Sequence, residues 1–326
     1  MTKGWARAAL SHPAFTGISR AHLGGLIDEL AGPWTARCES ALHERRGGNR
    51  RQRPGAGPKH GLVFTDRVLV TLVHLRHQLP HAALAEHGLE RSTITRAIGE
   101  IRPLLATRGF AVPDRPGLRL HTLADVFAYA AAEGITLRID GTETQVRCPR
   151  AHRPGRCAFV SGKKKQNTMK TTTISDAQGR TLWSGADRPG RMHGQTVMRT
   201  EGVAERLRLH PDVRAEVDEG YRGLADELPD QISEPPKKPK DLEDMPLTER
   251  YAWREMRRRQ SSCRICVEHA NAEHKQWRPL QRFLGRREHY PATRRAIAGL
   301  VSDRAAQRAT HRKASTALVP VTPTTR

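Results

Sequence analysis

Aromatic residues are scarce in this 326-residue chain, at 5% of the sequence, and cysteines and long apolar runs are also few. The low aromatic content argues against an RNA-binding protein that stacks bases on a sheet, because such a protein needs interleaved aromatic side chains. The longest nearly apolar run, residues 123–132, is too short to cross a membrane and contains Asp125. No apolar secretion signal occupies residues 1–10, so we expect the five cysteines to be reduced thiols.

Acidic residues are the minority charge, with 34 Asp plus Glu against 56 Lys plus Arg and a net charge of +22. This excess indicates a polyanionic partner, and nucleic acid is the default. Of the cations, 45 are arginine and 11 are lysine. Guanidinium groups pair bidentately with phosphate and guanine. A GC-rich genome would produce the same arginine bias, so composition leaves both causes open.

The first 61 residues divide into a helical segment and a basic arm. Residues 1–44 are predicted to form helices, one over 19–31 that ends at Gly32-Pro33 and a second over 34–43. Residues 45–61 are too rich in Gly, Pro and Arg to fold alone. They are interpreted as a linker, or as a basic arm that lies along DNA or enters a minor groove.

Residues 62–108 form the first coherent unit, an all-α helix-turn-helix domain. Apolar residues recur at helical spacing over 65–79 and again over 94–105, and a short helix over 81–87 ends at Gly88. This pattern is typical of a helix-turn-helix, whose second helix reads DNA. The predicted DNA contacts lie on its polar, N-terminal side and are Arg91, Ser92, Thr95 and Arg96. An ordinary three-helix bundle whose polar face meets only water is the alternative.

Beyond residue 108, the spacing of apolar residues changes, because alternating or short apolar runs typical of strands occur among the helical segments. Residues 109–134 are predicted as a connector followed by a helix, and residues 303–326 as a disordered basic tail. Between them, alternating or short apolar runs predict strands over 135–140, 158–160, 169–175, 180–184 and 213–217. A helix is predicted over 193–208, and one long helix or two joined helices over 247–276. Strands mixed with helices indicate an α/β domain over 135–302.

Two aspartates are each predicted to end a strand of this domain. Asp140 precedes Gly-Thr-Glu, and Asp218 precedes Glu-Gly-Tyr-Arg-Gly. Carboxylates at the ends of neighbouring strands can converge, and with a third from a helix they can hold two divalent ions for phosphodiester chemistry. Each aspartate alone is weak evidence, because Asp commonly starts a turn.

The helix over 247–276 carries Arg264, Glu268 and Lys275 in the spacing R-x3-E-x6-K. Arg264 lies about 40° from Glu268 and Lys275 about 20° from it, so all three share one stripe, whereas Glu273 lies about 140° away. Such a stripe is either a solvated ion-pair ladder or a metal ligand flanked by phosphate-binding cations. A competing metal-ligand set, Cys263, Cys266 and His269, is disfavoured because structural zinc needs a closed set of four ligands.

Taken together, these motifs resemble the DDE transposases of bacterial insertion sequences, most closely the insertion-sequence-five group. The resemblance covers about 62–302 and includes the segment 160–170, Val-Ser-Gly-Lys-Lys-Lys-Gln-Asn-Thr-Met-Lys. The family's fuller pattern has Tyr three residues before the Arg, where this chain has Ser261. The resemblance implies an α/β, ribonuclease-H-like catalytic core over 135–302, preceded by the all-α helix-turn-helix domain.

The resemblance also implies a site and a reaction. Asp140, Asp218 and Glu268 would be the catalytic, metal-binding triad for two Mg²⁺ ions, with Mn²⁺ able to substitute. Water would cut DNA at the transposon end, and the freed 3′-OH would attack target DNA. Arg264 and Lys275 would steady DNA phosphates, and a basic run after the first acid would track the backbone, namely Lys163, Lys164 and Lys165.

The expected partners are double-stranded DNA, as transposon ends and as target, and a second copy of the chain, because pairing two ends needs a homodimer or higher oligomer. No membrane partner is expected. The expected location is the bacterial cytoplasm, in association with the nucleoid. Two alternatives stay open, a non-enzymatic helix-turn-helix regulator of DNA and a decayed, inactive transposase.

Overall fold

The computed structural model describes residues 3–50, 61–86, 89–148 and 156–307. Most of the basic arm at 45–61, the turn at Gly88 and most of the tail at 303–326 lie outside these ranges. Within them, no helix has both the length and the apolar character needed to cross a membrane.

The N-terminal segment consists of α1 (Lys3–Leu10), α2 (Pro13–Thr16) and α3 (Arg20–Arg46). Helix α3 runs through Pro33, so the prediction of two helices separated at Gly32-Pro33 is wrong. A proline inside a helix removes one backbone hydrogen bond, but packing on both sides compensates here. Leu30 is buried before the proline, and Trp34 packs on Phe64 just after it, with ring centroids 5.0 Å apart.

The helix-turn-helix domain is formed by α4 (Phe64–His77), α5 (His81–Ala85) and α6 (Arg91–Ala106). The predicted apolar face of α6 is confirmed, because all five of its members are buried: Ile94, Ala97, Ile98, Ile101 and Leu105. Helix α4 ends earlier than predicted. Gln78 takes a left-handed conformation with φ 55°, which stops the helix and leaves Leu79 exposed.

The connector holds a small hairpin, β1 (Phe110–Ala111) with β2 (Arg119–Leu120), and then helix α7 (Leu123–Glu133). The predicted helix is confirmed, and its ends explain why. Thr122 and Asp125 form a capping box at the start, and Gly134 adopts φ 62° at the end, a conformation that suits glycine.

The α/β domain is built on one mixed sheet. Its strands are β3 (Leu137–Val146), β4 (Thr168–Ser175), β5 (Thr181–Ser184), β6 (Arg188–Pro189), β7 (Ala215–Glu216), β8 (Ile232–Ser233) and β9 (Arg282–Phe283). The main order is β5-β4-β3-β7-β8; β3, β4 and β5 pair antiparallel, whereas β3, β7 and β8 pair parallel. This sheet, covered by helices, confirms the expected α/β, ribonuclease-H-like core.

Three details of the strand and helix prediction are wrong. Asp140 is the fourth of ten residues in β3 rather than its last, because pairing with β4 continues to Gln145. Instead of the strand predicted over 158–160, residues Arg156–Phe159 form a 3₁₀ helix, and Val160 makes an isolated bridge to Asn167. The helix expected over 193–208 is two helices, α8 (Gly194–Thr200) and α9 (Val203–Leu209), since Gly202 takes φ 77° between them.

The remaining helices are α10 (Arg222–Glu227), α11 (Leu247–Lys275), α12 (Arg278–Gln281) and α13 (Tyr290–Ala306). The helical prediction over 247–276 is confirmed, and of its two forms, one long helix or two joined helices, α11 is the single long helix. Helix α13 joins the two parts of the molecule, because Ile297, Leu300 and Val301 share one buried cluster with α3, α4 and α6. The helix-turn-helix therefore shares a hydrophobic core with the α/β domain.

Candidate active site

The two aspartates lie at matched heights on neighbouring strands. Strands β3 and β7 pair in parallel with Arg138 opposite Glu216. Asp140 lies two residues beyond Arg138, and Asp218 lies two residues beyond Glu216. Because neighbouring strands are about 4.8 Å apart, this register places both carboxylates at one point on the sheet.

Helix α11 contacts Asp140 through a residue that the sequence reasoning missed. Asn271 Nδ2 donates to Asp140 Oδ2 over 2.7 Å, and the backbone N–H of Gly141 donates to Asp140 Oδ1 over 2.8 Å. Burial raises the pKa of the Asp140 carboxyl, and the charge of Asp218 adds to the rise, whereas the Gly141 N–H and Arg264 oppose it. The available signal was spacing, since Asn271 lies seven residues after Arg264 and hence on the same helix face.

Asp218 lies at the start of a short 3₁₀ turn that follows β7. Its Oδ1 accepts a hydrogen bond of 2.6 Å from the backbone N–H of Glu219 and another of 2.6 Å from Arg264 Nη1. The predicted stripe on α11 thus meets the sheet through Arg264. An ion pair to the guanidinium fixes the orientation of the Asp218 carboxylate.

Tyr221 packs against β3 at Gly141, next to Asp140, and was also missed by the sequence reasoning. Its ring is 5% exposed, and a Cβ placed on Gly141 would lie 2.6 Å from its hydroxyl oxygen. Burial raises the pKa of the Tyr221 hydroxyl above its ordinary value, and the charges of Asp140 and Asp218 add to the rise. The glycine after Asp140 and the tyrosine three residues after Asp218 therefore pack as a pair, which explains both residues in physical terms.

Glu268 lies on α11 between Arg264 and Asn271 but does not join the two aspartates. Ideal helix geometry rotates it about 40° from Arg264 and about 60° from Asn271, and its side chain is exposed. Within the described ranges, no three His, Cys, Asp or Glu side chains come close enough to hold a metal ion. The structure thus brings together Asp140, Asp218 and Arg264, and leaves Glu268 outside this group.

The side chains at this point suit a hard cation. Both aspartates offer carboxylate oxygens, and Asn271 Oδ1 is buried and accepts no hydrogen bond from any described residue. A buried acceptor without a donor is costly, and a bound cation would satisfy it. Mg²⁺ prefers such oxygen ligands over nitrogen or sulfur. The competing cysteine set is only partly described, because the side chain of Cys263 lies outside the described part of the structure.

Two family models match the chain. The helix-turn-helix of DDE superfamily endonuclease matches residues 60–111, and the DDE superfamily endonuclease itself matches residues 139–302, half of the chain. The chain belongs to the DDE superfamily endonucleases. No curated protein and no solved structure matches it. The expected class, a DDE transposase with a helix-turn-helix and a nuclease-type catalytic domain that acts on DNA, is therefore confirmed at the level of the family.

In this DDE endonuclease, the predicted DNA-contacting residues of α6 are exposed near its N-terminus: Arg91, Ser92, Thr95 and Arg96. Thr95 pairs with His81 of α5, with 2.8 Å between Oγ1 and Nδ1. Ser92 Oγ donates to the Glu90 carboxylate over 3.0 Å. Arg91 and Arg96 form no ion pair with any residue in the described ranges, so their guanidinium groups are available to phosphate.

The other predicted cations of the DDE endonuclease surround β3 and the end of α11. The lysine run is exposed: Lys163, Lys164 and Lys165. Lys164 Nζ donates to the backbone oxygen of Glu143 over 3.0 Å, which places it about 10 Å along the strand from Asp140. Lys275 is the exposed last residue of α11, and Ser261, which stands where the family has Tyr, is exposed on the same helix.

Proposed function

We propose that this DDE endonuclease is a transposase of an insertion sequence of the insertion-sequence-five group. It binds the inverted-repeat ends and catalyses metal-dependent strand cleavage followed by strand transfer. The proposal is carried by one observation. Asp140 and Asp218 lie in matched register on neighbouring strands, and Arg264 of α11 contacts Asp218. Two acidic side chains on adjacent strands with a cation beside them suit phosphodiester chemistry.

In the proposed site, Asp140, Asp218 and Glu268 would hold two Mg²⁺ ions. Bound there, the ions would supply charge that lowers the pKa of the attacking water and stabilises the leaving oxygen. Asn271 orients Asp140, and Arg264 orients Asp218. Glu268 has no hydrogen bond or ion pair to a described residue that would hold its carboxylate elsewhere, so it is available to complete the triad.

The DNA contacts of the proposed transposase divide by role. The N-terminal side of α6 reads the ends through Arg91, Ser92, Thr95 and Arg96. Phosphates near the cut are held by Arg264, Lys275 and the lysines at 163–165. Pairing of two ends for strand transfer requires two subunits, so we propose a homodimer or higher oligomer on DNA.

The test is cleavage and joining of duplexes that carry the short inverted repeats flanking the coding region, in the presence of Mg²⁺. The variants are Asp140→Asn, Asp218→Asn and Glu268→Gln, and the matched control on the same helix is Glu273→Gln. Loss of metal binding removes several kcal/mol of transition-state stabilisation, so each triad variant should cut at least about 1,000-fold more slowly.

End binding should be retained in all four variants, and the control should cut at the wild-type rate. Wild-type cleavage by Asp140→Asn would overturn the metal assignment. Tight end binding by a wild-type protein that does not cut in Mg²⁺ or Mn²⁺ would favour a regulator or an inactive transposase instead.

A further inference from the structure

A cavity of about 1140 Å³ lies between part of the helix-turn-helix and the catalytic domain, beside their shared core. One wall is α6 with the α4–α5 turn, and the other is formed by the end of β3 and the segment after β9. We call it the arginine groove, because five guanidinium groups line it: Arg91, Arg102, Arg147, Arg286 and Arg287.

The arginines of this groove lack anionic partners in the part of the chain that the structure describes. None of the five forms an ion pair with a residue that the structure describes. Arg102 Nε and Arg287 Nη1 are moreover buried without any hydrogen-bond acceptor in the described ranges. Arg287 stacks on Phe159, with its guanidinium carbon 4.0 Å from the ring centroid, but a ring face leaves the N–H donors free. Buried donors without acceptors are costly, so the groove favours a ligand rich in oxygen.

The histidines of the groove report the same positive field. The pKa of His81 is lowered first by burial and then by the charges of Arg91 and Arg102. The pKa of His289 is lowered first by burial, then by Arg102 of the α6 wall and also by Arg286 of the opposite wall, with Glu288 opposing. The charges of both walls therefore act on the same space.

The length of the groove indicates a polymer rather than a single anion. From Arg91 to Arg102 it follows three turns of α6, about 16 Å. Arg147 directly follows β3, and the strand from Asp140 to Val146 is about 20 Å long, the rise of about six base pairs. A line of cations thus leads from the DNA-reading side of α6 to the strand that carries the first carboxylate.

We propose that the arginine groove binds the sugar-phosphate backbone of duplex DNA between the site read by α6 and the site of cleavage. This inference rests on the proposed function, because the DNA concerned is the transposon end. The shared core under α13 holds the two walls in fixed relation. The groove would therefore set the number of base pairs between the recognised sequence and the cut.

The test measures equilibrium binding of the full chain to an end duplex without divalent metal, over a range of salt concentrations. The groove variant is Arg147→Ala/Arg286→Ala, two exposed side chains whose removal should leave the unfolding midpoint unchanged. The matched control, Arg199→Ala/Arg208→Ala, removes the same charge from exposed positions on α8 and α9, where both arginines pair with Glu227.

Each lost phosphate contact lowers the slope of log K against log salt by about 0.9. The groove variant should therefore lose about two units of slope and bind about 50-fold more weakly at 0.1 M salt, whereas the control stays within about twofold. Hydroxyl-radical footprints should keep protection at the α6 site and lose it between that site and the cut. Equal affinity, slope and footprint for groove variant and control would overturn the proposal.

This outcome is separable from the proposed function. The binding experiment contains no metal and involves no cleavage, so failure of the groove leaves the cleavage proposal standing. Conversely, a groove that binds DNA in a protein that never cuts would defeat only the transposase proposal.

Discussion

Replacing Gly141 with alanine tests directly whether the two acidic motifs pack against each other. The new Cβ would lie 2.6 Å from the Tyr221 hydroxyl oxygen, a separation that real Cβ contacts do not show. Tyr221 is 5% exposed and cannot swing away into solvent. Overpacking of this kind costs about 1–3 kcal/mol, so we expect the free energy of unfolding to fall by about 2 kcal/mol.

A second substitution makes the explanation specific. In Tyr221→Phe the hydroxyl is gone, and the nearest ring atom to the new Cβ would be Cζ at 3.9 Å, an ordinary contact. Gly141→Ala/Tyr221→Phe should therefore recover most of the lost stability, with a coupling free energy of about 1–2 kcal/mol between the two positions. Gly220→Ala is the matched control, because a Cβ there has no atom within 4 Å.

Urea unfolding followed by circular dichroism gives the double-mutant cycle from the wild type, the two single variants and the double variant, and Gly220→Ala is measured beside them. Unchanged m-values would show that the midpoint shifts report stability. The reasoning is refuted if Gly141→Ala unfolds like the wild type, or if the double variant is as unstable as Gly141→Ala alone.

Three further predictions concern charges around the sheet. Asp303→Asn should lower the free energy of unfolding by about 3 kcal/mol at pH 7, because Arg108 loses a buried partner 2.7 Å away. Burial by itself would raise the pKa of Asp303, but the hydrogen bond from His22 and the charges of Arg108 and Arg119 hold it at about 2. The difference in unfolding free energy between wild type and variant should therefore shrink as the pH falls from about 4 to 2 in acid titrations. Burial raises the pKa of Glu201 from 4.5 to about 7. The free energy of unfolding of the wild type should therefore fall by up to about 3 kcal/mol as the pH rises from 4.5 to 7. Glu201→Gln should abolish this pH dependence, whereas the control Glu205→Gln should keep it. Arg264→Ala should slow Mg²⁺-dependent cleavage about 10–100-fold, which corresponds to the loss of one charged hydrogen bond to Asp218, and should leave end binding intact. An unchanged cleavage rate would exclude the role of Arg264 in orienting Asp218.

Local signals were sufficient for several helices. The apolar spacing of α6 and the capping residues Thr122 and Gly134 of α7 act over a few neighbouring residues, so the sequence expresses them directly. The shared stripe of Arg264 and Glu268 on α11 was predictable for the same reason, because helix geometry alone places them on one side.

Tertiary contacts decided what the sequence could not show. The length of β3, and hence the position of Asp140 within it, depends on pairing with β4, a strand more than twenty residues away. Helix α3 continues through Pro33 only because Leu30 and Trp34 are packed against other helices. The spacing of Asn271 places it on the same helix face as Arg264, but its contact with Asp140 follows only once α11 is placed over β3.

The most direct test of the central claim is to locate the metal with Fe²⁺ in place of Mg²⁺. Bound Fe²⁺ with ascorbate and peroxide generates hydroxyl radicals that cut the polypeptide near the ion, and the fragments can be mapped by mass spectrometry. We predict cuts near Asp140, Asp218 and Glu268 that excess Mg²⁺ suppresses and that Asp140→Asn abolishes. Cuts confined to other parts of the chain, or cuts near these residues that persist in Asp140→Asn, would contradict a metal site between the two aspartates and α11.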